Sequence, residues 1–173
     1  PGTLSVPLDM TPSFAGWLLP YDRDIGLVVD DVAEVDAAVT HLRRIGYERV
    51  VGFLDEGLHG WETSGRPYQV IPAIHAEGLK QRIHTGLPFT LLDVRKPDEL
   101  ADGRLPGTLN IYVGEVPERL GEIPRDKPVT TFCGSGQRAI IAASVLKKAG
   151  FADVEVCLGS MAACRRLGCP VED

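Results

Sequence analysis

A chain of 173 residues suits one ordinary domain or two small ones, and 44% hydrophobic with 24% charged residues is a soluble globular composition, not a disordered one. A formal net charge of -6 with no basic run leaves no electrostatic footprint for nucleic acid or for an anionic lipid surface. No apolar run approaches the roughly 18 residues of a membrane span, and the amino end, PGTLSVPLDM, has neither the basic start nor the apolar centre of a signal peptide. A cytoplasmic protein with small-molecule or protein partners is therefore expected.

The first element in chain order already repeats. PGTLSV at residues 1–6 returns as PGTLNI at 106–111, an offset of 105. GLVVDDVAEVDAAVTHLRRIGYERVVGFL (26–54) then lies over TTFCGSGQRAIIAASVLKKAGFADVEVCL (130–158) at an offset of 104. Ala38 meets Ala142, Leu42 meets Leu146 and Gly46 meets Gly150, all on one helical face, and Gly65-x-Pro67 answers Gly168-x-Pro170. These matches read as a duplication. Residues 76–105, which precede the second PGTL and hold the strand-like FTLLDVR, have no counterpart in the first copy. Its own first strand is expected upstream, so the sequence reads as a fragment of a longer polypeptide. In SGRPYQVIPAI, residues 64–74, prolines and a glycine block continuation of the preceding helix. The expected division is 1–68 for a truncated first copy, 69–75 for a linker, and 76–173 for a complete second copy.

The second copy reads as follows. Residues 74–85 are predicted as a helix, 89–94 as a buried strand, 95–98 as a loop, 110–113 as a short strand and 117–122 as a helical turn. Residues 129–133 form a second central strand and 137–148 a helix apolar on nearly all sides, closed by Gly150; 154–158 is a third strand and 160–167 the last helix. Strands alternating with helices imply an α/β fold whose mostly parallel sheet is covered on both faces, once per copy.

That topology gives the stretch VTTFCGSGQRA its meaning. Cys133 falls at the carboxyl end of a parallel strand, where α/β proteins place ligands, and the next helix directs its free N–H groups back toward it. Gly134 and Gly136 let the loop curl into an anion-binding nest. Helix amino end, nest and Arg138 all favour the thiolate. A filler cysteine needs neither a glycine-rich loop nor an arginine five residues on. The first copy acts as an internal control: Val29 stands for Cys133, Glu34 for Arg138, and Asp30 and Asp31 fill the loop. Those carboxylates would repel an anionic substrate, so this copy is expected to be a scaffold or docking surface.

The remaining cysteines, Cys157, Cys164 and Cys169, have no C-x-x-C spacing and read as structural, with Cys164 the candidate for a second redox role. His41, His59, His75 and His84 are scattered, so no metal site is assigned.

FTLLDVRKPDELADGRLPGTLNI, FCGSGQRA and VCLGSMAACRRLGCPVE, in that order, resemble the rhodanese family across residues 76–173. The resemblance implies a sulfurtransferase that moves a sulfane sulfur from thiosulfate or a persulfide such as glutathione persulfide, through a persulfide on Cys133, to a thiol, sulfite or cyanide. It implies backbone amides of Gly134, Ser135, Gly136, Gln137 and Arg138 around the sulfur, Arg138 on the donor's oxygens, and Asp93 and Arg95 as buttresses of the loop. No cofactor is implied. Residues 1–68 resemble the inactive rhodanese copy of proteins that fuse a metallo-β-lactamase-like persulfide dioxygenase domain to two rhodanese modules. The fold expected is thus two tandem rhodanese-like modules, the first truncated at its amino end, with that upstream domain absent from this chain.

Two departures stand out. Gly134 takes a place where many members carry Arg or Lys, which leaves persulfides open as donors, and Ser160 and Cys164 replace the second glycine and the tryptophan of a closing G-G-x-x-x-W. Other readings are a non-catalytic sulfur-binding or docking module serving the upstream domain, and a Cys-dependent phosphatase or arsenate reductase. The phosphatase loop of this fold is one residue longer than Cys133 to Arg138, and no general acid stands nearby.

Overall fold

The chain divides into two compact units, residues 6–69 and residues 70–172 with residues 2–5. The computed structural model describes residues 2–54 and 57–172.

In the first unit, helix α1 (Thr11–Leu18) starts with Pro12 in its first turn, where a missing N–H costs nothing. Strand β1 (Ile25–Leu27) follows, then helix α2 (Val35–Arg44), strand β2 (Val50–Phe53) and helix α3 (Gly57–Thr63). Strands β1 and β2 pair in parallel, with Ile25 opposite Val50. Asp31 accepts the Ala33 N–H and starts the short 3-10 turn ahead of α2, while His41, Arg43 and Arg44 lie in its last turn, where the helix dipole favours cations. The core is Ala15, Leu42 and Tyr47, wrapped by Leu19, Ile25, Leu27, Ile45 and Val50.

Tyr47 is the polar tie of this core. Its hydroxyl lies 2.6 Å from the Leu19 carbonyl oxygen and 3.1 Å from that of Ala15, donating to these two acceptors, and its ring stacks on Tyr21 at 4.3 Å. Tyr47→Phe is expected to cost this unit about 1–2 kcal/mol in urea unfolding, since the Leu19 carbonyl loses this donor, whereas the Ala15 carbonyl keeps the Leu19 N–H. Burial first, and Tyr21 second, push the Tyr47 hydroxyl up to about 12. A raised pKa of this kind gives stability that is complete below the ordinary tyrosine value of about 10 and is lost as pH rises through about 12. The Phe variant should lack that alkaline loss.

The second unit runs through strand β3 (Ala73–His75), helix α4 (Ala76–Thr85), strands β4 (Thr90–Asp93), β5 (Leu109–Asn110) and β6 (Val129–Phe132), helix α5 (Gln137–Lys148), strand β7 (Val154–Leu158) and helix α6 (Ser160–Leu167). The sheet has the order β3-β7-β6-β4-β5, every pair parallel. All residues of β4 and β6 are buried, as expected for central strands covered on both faces. Ala76, Leu79, Met161 and Cys164 of α4 and α6 share a core cluster with Leu91, Phe132 and Cys157 of the strands. Helix α5 buries seven of its residues, from Ala139 to Leu146, and the Ser144 hydroxyl accepts the Ser5 N–H at 3.1 Å.

Four elements differ from the sequence reading. The residues assigned to a linker and a helix start form β3 instead, because Val156 donates its N–H to the Pro72 carbonyl and extends the sheet by an edge strand too short to show alternation. The helix therefore begins at Ala76. The loop expected at 95–98 gives way to a 3-10 helix over Pro97–Asp102, opened by Pro97. The strand expected at 110–113 reduces to Leu109–Asn110, and the helical turn at 117–122 to Leu120–Glu122.

Each unit contains a strand, a helix and a parallel strand in succession, with α2 between β1 and β2 and α5 between β6 and β7. Ala38 and Leu42 are buried as Ala142 and Leu146 are, and Gly46 and Gly150 both end a helix with positive φ, 91° and 84°. Among the described residues no helix is long and apolar enough to cross a membrane.

Candidate active site

Strand β6 ends at Phe132, so Cys133 sits at the carboxyl edge of the sheet, between β4 and β7. Its backbone is gripped from α6: Met161 donates its N–H to the Cys133 carbonyl at 3.0 Å, and Ala162 donates to the Gly134 carbonyl at 2.9 Å. Cys133 N–H in turn donates to the Ser160 hydroxyl at 3.1 Å, and that hydroxyl donates to the Cys157 carbonyl at 2.8 Å.

Ser160 is the surprise of this anchor. Among the described residues it is the one non-glycine with positive φ, 41°, a conformation that costs an L-residue on the order of 1 kcal/mol. A glycine would relieve the strain but lose the hydroxyl that joins Cys133 to Cys157. The replacement noted in the sequence thus changes the hydrogen bonding of the loop, not the packing alone.

The thiol points into the loop. Gly136, with φ 112°, turns the chain so that its N–H donates to the Cys133 Sγ at 3.1 Å. A Cβ at 136 would meet its nearest neighbours, the Cys157 carbonyl oxygen and the Gly159 nitrogen, only at 3.5 Å, so the backbone angle and not space demands glycine. Gly134 is different, because a Cβ there would lie 3.3 Å from an Arg138 nitrogen. Ser135 and Gln137 are exposed, Gly134, Gly136 and Arg138 half-buried, and Cys133 is 0% exposed.

Arg138 does not reach out of the loop. Its guanidinium donates to Glu99 through both terminal nitrogens, 2.5 Å to Oε2 and 2.8 Å to Oε1. These bonds, ahead of a smaller contribution from Cys133, raise Arg138 above its ordinary value and hold the Glu99 carboxyl down at about 2. Glu99 is brought there by the Pro97–Asp102 turn, where its Oε2 also accepts the Lys96 N–H at 3.1 Å.

Asp93 and Arg95 lie one layer deeper. Asp93 is 0% and Arg95 3% exposed, and the guanidinium donates to both carboxylate oxygens at 2.6–3.0 Å. Arg95 also donates to the Glu99 carbonyl and the Gly103 carbonyl, both at 3.1 Å. Their bonds therefore go to the turn that carries Glu99, and the loop is reached through the Glu99 side chain. Asn110 closes the same corner by donating to the Asp93 and Arg95 carbonyls at 2.9 and 3.0 Å.

Sequence reasoning missed Glu99, Ser160 and Asn110. For Glu99 a signal existed: an acid at the third position after a Lys-Pro helix start is a capping pattern. The other thiols offer no rival centre. Cys157, Cys164 and Cys169 are buried, and burial pushes the Cys157 thiol up to about 12 and the Cys164 thiol up as well. Among the described residues no cluster of His, Cys, Asp or Glu could hold a metal ion. In the first unit Asp31 serves as a cap.

Comparison with known proteins bears on the second unit. The rhodanese-like domain family model matches residues 75–166. A protein named sulfurtransferase from Allochromatium vinosum is 33% identical over 102 residues, covering 59% of this chain and 95% of that protein. A putative sulfurtransferase, YtwF, from Bacillus subtilis is 34% identical over 92 residues, covering 53% of this chain and 89% of that one. Among solved structures, a rhodanese-related protein from Thermoplasma volcanium superposes with a TM-score of 0.54 at 30% identity, over 58% of this chain and 97% of its own. A parallel α/β sheet that carries a cysteine-headed loop at its carboxyl edge, matched over more than half its length by one family model, places the chain in the rhodanese-like domain family.

Proposed function

We propose that the second unit is a sulfurtransferase that carries sulfur as a persulfide on Cys133. The observation that supports this reading most is the thiol at the strand end, with its Sγ receiving the Gly136 N–H inside the Cys133–Arg138 loop. Oriented amides and the start of α5 favour negative charge on a second sulfur attached there.

The reaction is a double displacement. Cys133 as thiolate attacks the terminal sulfur of the donor, a Cys133 S–S bond forms, and the donor's own S–S bond breaks with its electron pair on the leaving group. From thiosulfate that group is sulfite; from a thiol persulfide it is the thiolate, which takes a proton from water. An acceptor then attacks the outer sulfur, and the thiolate of Cys133 returns. Cyanide leaves as thiocyanate, sulfite as thiosulfate, and a thiol as its persulfide. Loop amides stabilise the charge on the transferred sulfur. Cys133 is fully buried, so the loop yields at its glycines to admit the donor's slim terminal sulfur while the donor's body stays outside.

The first unit is proposed to be a truncated, catalytically inactive copy of the same module, a scaffold or docking surface. The matching run of strand, helix and strand and the Val29 in place of the nucleophile support this.

Intact-mass measurement after incubation with thiosulfate and, separately, with glutathione persulfide tests the activity. The expected product is the chain plus a single sulfur atom, removable by cyanide as thiocyanate. A chain that takes up no sulfur from either donor would instead favour a docking module.

A further inference from the structure

The arginine of the loop is already occupied, and its occupant is anionic. Two of the five N–H donors of Arg138 are spent on Glu99, one from each terminal nitrogen, in a bidentate pair at 2.5 and 2.8 Å. The pair is sheltered: the side chains are 18% and 34% exposed. Glu99 is itself held from behind, its carboxylate by the Lys96 N–H and its backbone by Arg95. Arg95, beneath the same turn, is matched to Asp93. The two side-chain pairs next to Cys133 therefore sum to no net charge, and the position after the cysteine is Gly134, which adds none.

We propose that Glu99 is a positioning residue that sets the charge selectivity of the cradle, neutralising Arg138 so that thiol persulfides, with a single charge at the reacting end, are accepted as donors and thiosulfate, with two charges there, is disfavoured. This rests on the sulfurtransferase reading of the same site. A persulfide brings one negative charge, on the sulfur that the loop amides receive, and its thiol moiety stays outside. Thiosulfate brings the same terminal sulfur with a sulfonate carrying the second charge directly behind it. That second charge needs a free cation beside the loop, and Glu99 has taken it. Glu99 remains ionised throughout the neutral range, since its carboxyl is held at about 2, so a change of pH does not release Arg138.

Substitution does release it. Glu99→Gln keeps the shape and one acceptor oxygen for Arg138 but removes the charge. Measured with cyanide as acceptor, the variant should show a KM for thiosulfate lower by about tenfold, the worth of one modestly screened charge pair, with the KM for glutathione persulfide changed less than about twofold. Glu99→Asp, which restores the charge on a shorter arm, should return the preference toward the parent's. A residue that merely braced the loop would give the opposite signature: equal losses with both donors, tracking a lower unfolding midpoint. That result overturns the proposal, and so does a variant with both KM values unchanged. The parent is assayed first, because a parent that loads no sulfur from either donor refutes the sulfurtransferase reading itself, whereas a parent that loads sulfur with an unresponsive Glu99→Gln refutes the charge-selectivity role alone.

Discussion

Cys133→Ser is expected to abolish sulfur loading and to lower sulfur transfer by at least about 10^4-fold, the scale on which removal of a nucleophile acts in covalent catalysis. The substitution isolates chemistry from structure. Serine is close in size, and its Oγ can accept the Gly136 N–H that Cys133 Sγ accepts at 3.1 Å. The backbone anchors from Met161 and Ser160 do not involve the side chain. Unfolding in urea should therefore shift by about 1 kcal/mol or less. What disappears is a sulfur able to form an S–S bond and to leave as a stable thiolate. The other three cysteines lie outside the Cys133–Arg138 loop and its amides, and burial opposes the thiolate of Cys157 and Cys164. Thiocyanate production by Cys133→Ser at more than about a hundredth of the parent's rate would place the carrier sulfur elsewhere.

Much of this site was legible in the sequence because its signals are local. Gly136, the apolar helix behind it and the strand before Cys133 lie within one short run, and each obeys a rule about backbone angle or periodicity, whereas Gly134 answers to the Arg138 nitrogen 3.3 Å from where its Cβ would stand. The two helices were legible for the same reason, since Ala38 and Leu42 of α2 are buried, as are Ala142 and Leu146 of α5. What escaped depends on contacts across the chain. Glu99 and Arg138 are 39 residues apart, and nothing in either neighbourhood states that they meet. The family resemblance assigns Arg138 to the donor's oxygens and carries no sign of the Glu99 pairing. Ser160 escaped in another way: its residue type argued against the left-handed angle it adopts, and only the bond to Cys133 27 residues earlier accounts for it. Strand β3 escaped because its partner, β7, lies at the far end of the unit.

The second large effect is expected from a residue that never meets the substrate. Asp93→Ala should destabilise the second unit by about 3–5 kcal/mol, a large share of the 5–15 kcal/mol typical of a domain. The argument is one of desolvation. Arg95 is 3% exposed, and removing Asp93 leaves its guanidinium buried against two carbonyls with no counter-charge. The Arg95 N–H loses its acceptor as well, since it donates to Asp93 Oδ1 at 3.0 Å. Replacing both partners, as Asp93→Leu with Arg95→Met, should recover a good part of the stability, because no charge then remains buried. Sulfur loading should not recover with it. Arg95 holds the Glu99 and Gly103 carbonyls, and methionine cannot, so the turn that presents Glu99 to Arg138 would loosen even in a well-folded chain. Urea unfolding of the single and double variants, paired with intact-mass assay of sulfur loading, separates the two roles. A single-variant loss below about 1 kcal/mol would mean that water reaches the pair, and that the Pro97–Asp102 turn is held by its own cap and not from beneath.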